Sequence, residues 1–157
     1  MSKVIIIYES KYGNTRLAAE TIAGSIESAS GNAVSLYELK DVVLQELADF
    51  DVIIIGSPNH MGGPTGGTKK LINKLGTLNL KGTYAAVFDT YIGKDYEKAV
   101  KKMEKQISEK ALELSIPVPG LSIRVNGMKG PITEGELPKC SEFGARIASH
   151  VIGRTNN

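Results

Sequence analysis

The chain has 157 residues, 41% hydrophobic and 23% charged, with a net charge of +2. That length suits one domain with its own core, and the balance excludes both disorder and a bulk electrostatic partner such as nucleic acid. The longest apolar runs fall far short of the about 18 residues a membrane span needs, Cys140 has no second cysteine to bridge, and no Cys/His cluster has metal-ligand spacing.

Met1-Ser2-Lys3 precedes an apolar run with no small-residue cleavage site after it, so a single domain over residues 1–157, cytoplasmic and without membrane insertion, is expected. Lys3 to Tyr8 is a continuous β-branched run that predicts a buried strand. Polar turn residues follow, and Leu17, Ala18, Ile22 and Ile26 recur at helical spacing up to about Ala29. Ala33 to Tyr37 alternates apolar and polar, as a strand nearer a sheet edge does, and a weakly patterned helix is expected over about Val42 to Ala48.

Asp51 to Gly56 repeats the buried-strand signature, and beyond a Gly-rich segment Leu71, Ile72 and Leu75 mark one helical face. Thr83 to Phe88 predicts a fourth strand, followed by a long amphipathic helix carrying Tyr96, Ala99, Val100, Met103, Ile107 and Ala111 on its inner face. Leu121, Ile123 and Val125 predict the fifth strand. Leu137, Cys140, Gly144, Ile147, Ala148 and Val151 mark a closing helix, on which Cys140 and His150 read as structural.

Five strands alternating with five helices predict an α/β fold, a parallel sheet covered on both faces, because right-handed crossovers place the helices there. In such a sheet the ligand crevice lies beyond the carboxyl ends of the strands, where strand order reverses. The loops after strands one, three and four are therefore the candidates.

The first, Ser10-Lys11-Tyr12-Gly13-Asn14-Thr15, runs straight into a helix and offers hydroxyls, an amide and free backbone N–H groups at the positive helix end. Simple helix capping by Asn14 or Thr15 would use the same residues. The loop has neither dinucleotide nor Walker A spacing, so a monophosphate is its natural ligand. The second, Ser57-Pro58-Asn59-His60-Met61-Gly62-Gly63, continues to Thr68 and is glycine-dense enough to lie close to a flat ligand. Gly62 to Gly67 has Walker A glycine spacing, but Thr68-Lys69 follows in the reverse order, which misplaces hydroxyl and lysine for an NTP. The third, Asp89-Thr90-Tyr91-Ile92-Gly93, could cover one face of a ring system with Tyr91. One planar phosphate ester would use all three loops at once.

On these residues the chain resembles the flavodoxin family, over essentially its whole length in element order. Ser10 to Thr15 is similar to the family's phosphate loop of pattern Ser/Thr-x-Thr-Gly-x-Thr, with Tyr12 in place of the middle threonine, a form similar to the flavodoxin domains of A-type flavoproteins. Ser57 to Gly63 and Asp89, Thr90, Tyr91 and Gly93 resemble the second and third loops, and Phe143 to Ala148 the closing helix. The resemblance implies a three-layer sandwich with strand order 2-1-3-4-5, FMN as cofactor on those loop residues, and electron transfer between redox partner proteins, by a monomer or homodimer.

With FMN doing the redox chemistry, no side chain need act as nucleophile or acid. Two further expectations are that ring atoms lie near His60 and Met61, and that backbone in Asn59 to Gly63 reorients toward the reduced ring. The family's electron carriers are markedly acidic, whereas this chain is mildly basic and lacks tryptophan. An alternative is an FMN-dependent NAD(P)H or quinone oxidoreductase, including a protoporphyrinogen oxidase-like activity. A response-regulator receiver is disfavoured, because Ser57 and Pro58 stand where its phosphorylated aspartate would be.

Overall fold

The computed structural model describes residues 2–152. Five parallel strands, β1 (Val4–Tyr8), β2 (Val34–Glu38), β3 (Val52–Pro58), β4 (Tyr84–Tyr91) and β5 (Leu121–Arg124), form one sheet in the order β2-β1-β3-β4-β5. Four α-helices cover it: α1 (Asn14–Ser30), α2 (Gly66–Leu75), α3 (Lys98–Lys110) and α4 (Leu137–Ile147).

The continuous apolar runs are explained by burial on both faces. Ile6, Ile54, Ala86 and Phe88 point to the layer of α1 and α4, where Ile22, Ile26, Cys140, Phe143 and Ile147 meet them. Ile5, Ile7, Ile53, Ile55 and Val87 point to the opposite layer and pack on Ile72, Leu75, Val100, Met103 and Ile107. Burial in this core pushes the Cys140 thiol up to about 12, which leaves it inert at neutral pH. His150, by contrast, is exposed on the closing turn and packs into neither layer.

Three expectations need correction. The helix over Val42 to Ala48 is instead two 3-10 turns, Leu39–Asp41 and Leu44–Asp49, since the β-branched pair Val42-Val43 stays extended between them. β3 and β4 also run further than their apolar cores. Register pairing of Ser57 with Asp89 and of Pro58 with Thr90, and of Tyr91 with Arg124 on β5, carries these polar residues into the sheet. Tyr96 and Ala111 lie just outside α3.

Gly56 shows how tightly the central strands meet their covering layer: a methyl group there would stand inside the Phe88 ring. Gly56→Ala is expected to lower the unfolding free energy by about 1–3 kcal/mol through overpacking. Urea denaturation of this variant, alone and combined with Phe88→Leu, checks it; no loss, or no recovery in the double variant, would place the glycine's role elsewhere.

Candidate cofactor site

The crevice lies where β1 and β3 diverge in connectivity, at the carboxyl ends of the strands, as strand order requires. It is a cleft of about 390 Å³, within the roughly 300–1,000 Å³ usual for small-molecule sites.

Its floor at one end is the start of α1. Gly13 precedes the helix at φ 91°, a left-handed conformation that suits glycine, and no side chain caps the helix. The Gly13 N–H donates to Ser10 Oγ at 3.0 Å, which curls the loop. Ser10, Lys11, Tyr12, Asn14 and Thr15 all line the cleft. The first turn of α1 contains no acidic residue, so its free N–H groups and positive end face an anion unopposed.

The second loop contributes Pro58, Asn59, His60 and Met61 to the lining. His60 and Gly63 exchange backbone hydrogen bonds of 2.7 and 3.2 Å around a tight turn whose central residues both have positive φ, 53° for Met61 and 81° for Gly62. That is the geometry of a type I′ turn. Met61 stands 93% exposed at its tip, and Gly62 and Gly63 support it from outside the cleft.

From the third segment Thr90, Tyr91 and Ile92 line the cleft, whereas Gly93 does not. Burial raises the Tyr91 phenol above its ordinary value, so it presents a neutral ring. Asp89 and Ser57 do not join the cleft, because strand alternation turns them the other way. Asp89 is fully buried and accepts from Ser122 Oγ at 2.6 Å and the Val100 N–H at 3.0 Å, capping α3 in place of the uncapped Glu97. Burial pushes its carboxyl up to about 6 against those hydrogen bonds. Ser57 Oγ accepts from the Thr65 N–H at 3.1 Å and so anchors the second loop.

Residues distant in sequence brace these loops. The Thr65 hydroxyl donates to Glu9 at 2.7 Å, Thr15 and Thr90 share a hydroxyl hydrogen bond of 2.8 Å, and the Asn59 N–H donates to Thr90 O at 2.7 Å. Asn59 Nδ2 donates to Asp95 at 2.8 Å, leaving its buried Oδ1 without a partner among the described residues. A wall that sequence reading missed comes from the segment after β5: Val125, Gly127 and Met128 line the cleft, with the Tyr12 hydroxyl 3.8 Å from Met128 Sδ. Its signal was the Gly127 and Gly130 pair beyond an edge strand, which reads as an ordinary turn. Among the described residues no His/Cys/Asp/Glu cluster could hold a metal ion, and no helix is long and apolar enough to cross a membrane.

A doubly wound sheet with an uncapped helix start at one end of its cleft and neutral aromatic and amide groups along the rest defines a protein built to hold a flat phosphate ester. The family model described as Flavodoxin domain matches residues 5–119, and the chain belongs to the flavodoxin family. FMN is accordingly its cofactor. The chain is 27% identical over 155 residues to the type A flavoprotein fprA of Rhodobacter capsulatus, covering 96% of this chain and 34% of that protein. It is 26% identical over 103 residues to an NAD(P)H dehydrogenase (quinone) of Chromohalobacter salexigens, covering 52% of this chain and 51% of the other. The chain thus spans between about a third and about a half of these curated relatives. A solved flavodoxin from the domain Archaea superposes with a TM-score of 0.77 at 29% identity, over 94% of this chain and 96% of that one.

Proposed function

We propose that this chain is a cytoplasmic electron carrier that holds FMN in the cleft between the α1 start, the second and third loops and the segment after β5, and exchanges electrons with separate redox proteins. The observation that carries the residue assignment is the uncapped start of α1 at one end of a cleft that Asn59, His60, Tyr91 and Ile92 line further along. A phosphate answers the helix end, and a flat ring lies along those side chains.

When bound, FMN supplies the reversible electron chemistry. The chain's own residues bind and orient. Ser10, Tyr12, Asn14 and Thr15 receive the phosphate by hydroxyl, amide and backbone N–H, with Lys11 adding positive charge, while Gly13 shapes the loop by donating its N–H to Ser10 Oγ. Pro58, Asn59, His60, Tyr91 and Ile92 flank the ring and exclude water. Ser57, Gly63, Asp89 and Gly93 act one step back, by fixing the loops. The turn at Met61-Gly62 holds Met61 at a left-handed φ of 53°, at a cost of about 1–2 kcal/mol.

The test is the visible absorption spectrum of the purified protein before and after excess FMN and desalting. A retained flavin spectrum is expected; none after reconstitution would overturn the cleft assignment. A second reading, direct oxidation of NAD(P)H or turnover of quinones, draws support from the similarity to the quinone dehydrogenase. NAD(P)H consumption by the FMN-loaded protein alone distinguishes it, and the carrier reading expects none above the free-flavin rate.

A further inference from the structure

The rim of the cleft holds large side chains that stay open to solvent. Met61 is 93% exposed and Met128 69% exposed, and both line the cleft together with the exposed Tyr12 and Ile92. Tyr96, also exposed, stands edge-on to the cleft residue Tyr91 with ring centroids 5.6 Å apart. Large apolar side chains gathered on one rim mark an interaction surface, and methionine adapts its shape to a partner.

Lysines without an ion-pair partner stand beside this rim. Lys11 lies over the Tyr12 ring at 5.4 Å, the Lys102 stem lies beside Gly63, and the exposed Lys94 and Lys129 follow Gly93 and Met128 directly. Among the described residues these four lysines make no ion pair. Of the nearby carboxylates, Asp89 is held within the core, Asp95 pairs with Lys98 and Glu97 with Lys101 at 4.0 Å, while Glu9 accepts from Thr65. The apolar rim is thus bordered by lysines that make no ion pair among the described residues, although the whole chain carries only +2.

We propose that this rim docks an acidic redox protein, whose apolar contact is bordered by Asp and Glu. The inference rests on the carrier reading above and adds to it the sign of the partner's charge and the anchoring side chains. A small anion would leave the outward methionines unused and would gather the lysines into one point, whereas here they stand on four separate segments, as on an interface with an apolar centre and a charged rim.

Protein labelled with carbon-13 methyl methionine tests this at low ionic strength, with an acidic two-iron ferredoxin as probe and basic cytochrome c as the opposite case. Ferredoxin should shift or broaden the Met61 and Met128 methyl signals, leave that of the buried Met103 in place, and lose its effect in about 0.5 M salt. Lys94→Glu with Lys129→Glu should weaken ferredoxin binding about tenfold or more, because steering charges act at this scale. Neither residue lines the cleft, so FMN affinity should hold. Stronger binding of cytochrome c, unmoved methyl signals, or ferredoxin binding indifferent to salt and to the double variant would overturn the proposal. The titration reads docking with or without flavin, while FMN retention is measured separately, so failure of the carrier reading and failure of the docking face give different results.

Discussion

Asn14→Asp should raise the FMN dissociation constant by about 100-fold or more while leaving riboflavin affinity nearly unchanged. Asn14 is the first residue of α1 and lines the cleft at the end where the helix is uncapped. A carboxylate there matches the asparagine in size and is favoured by the positive helix end, so the fold should hold or gain slightly. Toward a phosphate the same carboxylate is a like charge: two unit charges about 4 Å apart at an effective dielectric of about 20 repel by about 4 kcal/mol. Riboflavin has the ring without the phosphate, so it isolates the electrostatic effect from any distortion of the cleft. Titrations of both flavins followed by fluorescence quenching decide it. An equal loss for both would move the phosphate away from α1 and attribute the effect to packing.

Asp89→Asn should remove a pH dependence of stability that the native chain carries. The folded-state carboxyl of Asp89 sits at about 6, against an ordinary value of 3.8, because burial opposes its charge. Between those values the folded protein holds a proton that the unfolded chain has released. The contribution is therefore fully present below pH 3.8 and is lost as pH rises to about 6, amounting to about 3 kcal/mol across the window. Other carboxylates titrate in the same range in both proteins, so the difference between them carries the prediction. Unfolding free energies from urea denaturation at intervals from about pH 4 to about pH 7.5 should diverge by that amount. Parallel profiles would mean that Asp89 titrates alike folded and unfolded. The asparagine keeps an oxygen to accept from Ser122 or Val100, so the cap of α3 is weakened rather than removed.

The two predictions probe different kinds of information. Asn14 belongs to a contiguous loop running into a helix, and the part in anion binding proposed for it is legible from that run of residues alone. Asp89 was read as a ligand of the cofactor because it begins the third loop in sequence. Its placement depends instead on β4 extending to Tyr91 and on strand alternation, which turn its side chain toward Ser122 and α3 while Thr90 faces the cleft.

The same division runs through the molecule. Local periodicity was enough to identify five strands, four of the five helices, a doubly wound sheet and the strand ends that would carry the site, because burial on both faces writes itself into consecutive residues. The segment after β2 escaped it, since the 3-10 turns there lack the 3.6-residue repeat that a longer helix shows. Contacts between residues far apart in sequence were decided only by the tertiary structure: Tyr12 with Met128, Glu9 with Thr65, and Asn59 with Asp95. So was the unpartnered Oδ1 of Asn59, and so was the gathering of exposed Met61 and Met128 on one cleft. A sequence pattern records which face of an element is buried; which loop tips then come together is set by sheet twist and strand order, which no local run of residues contains.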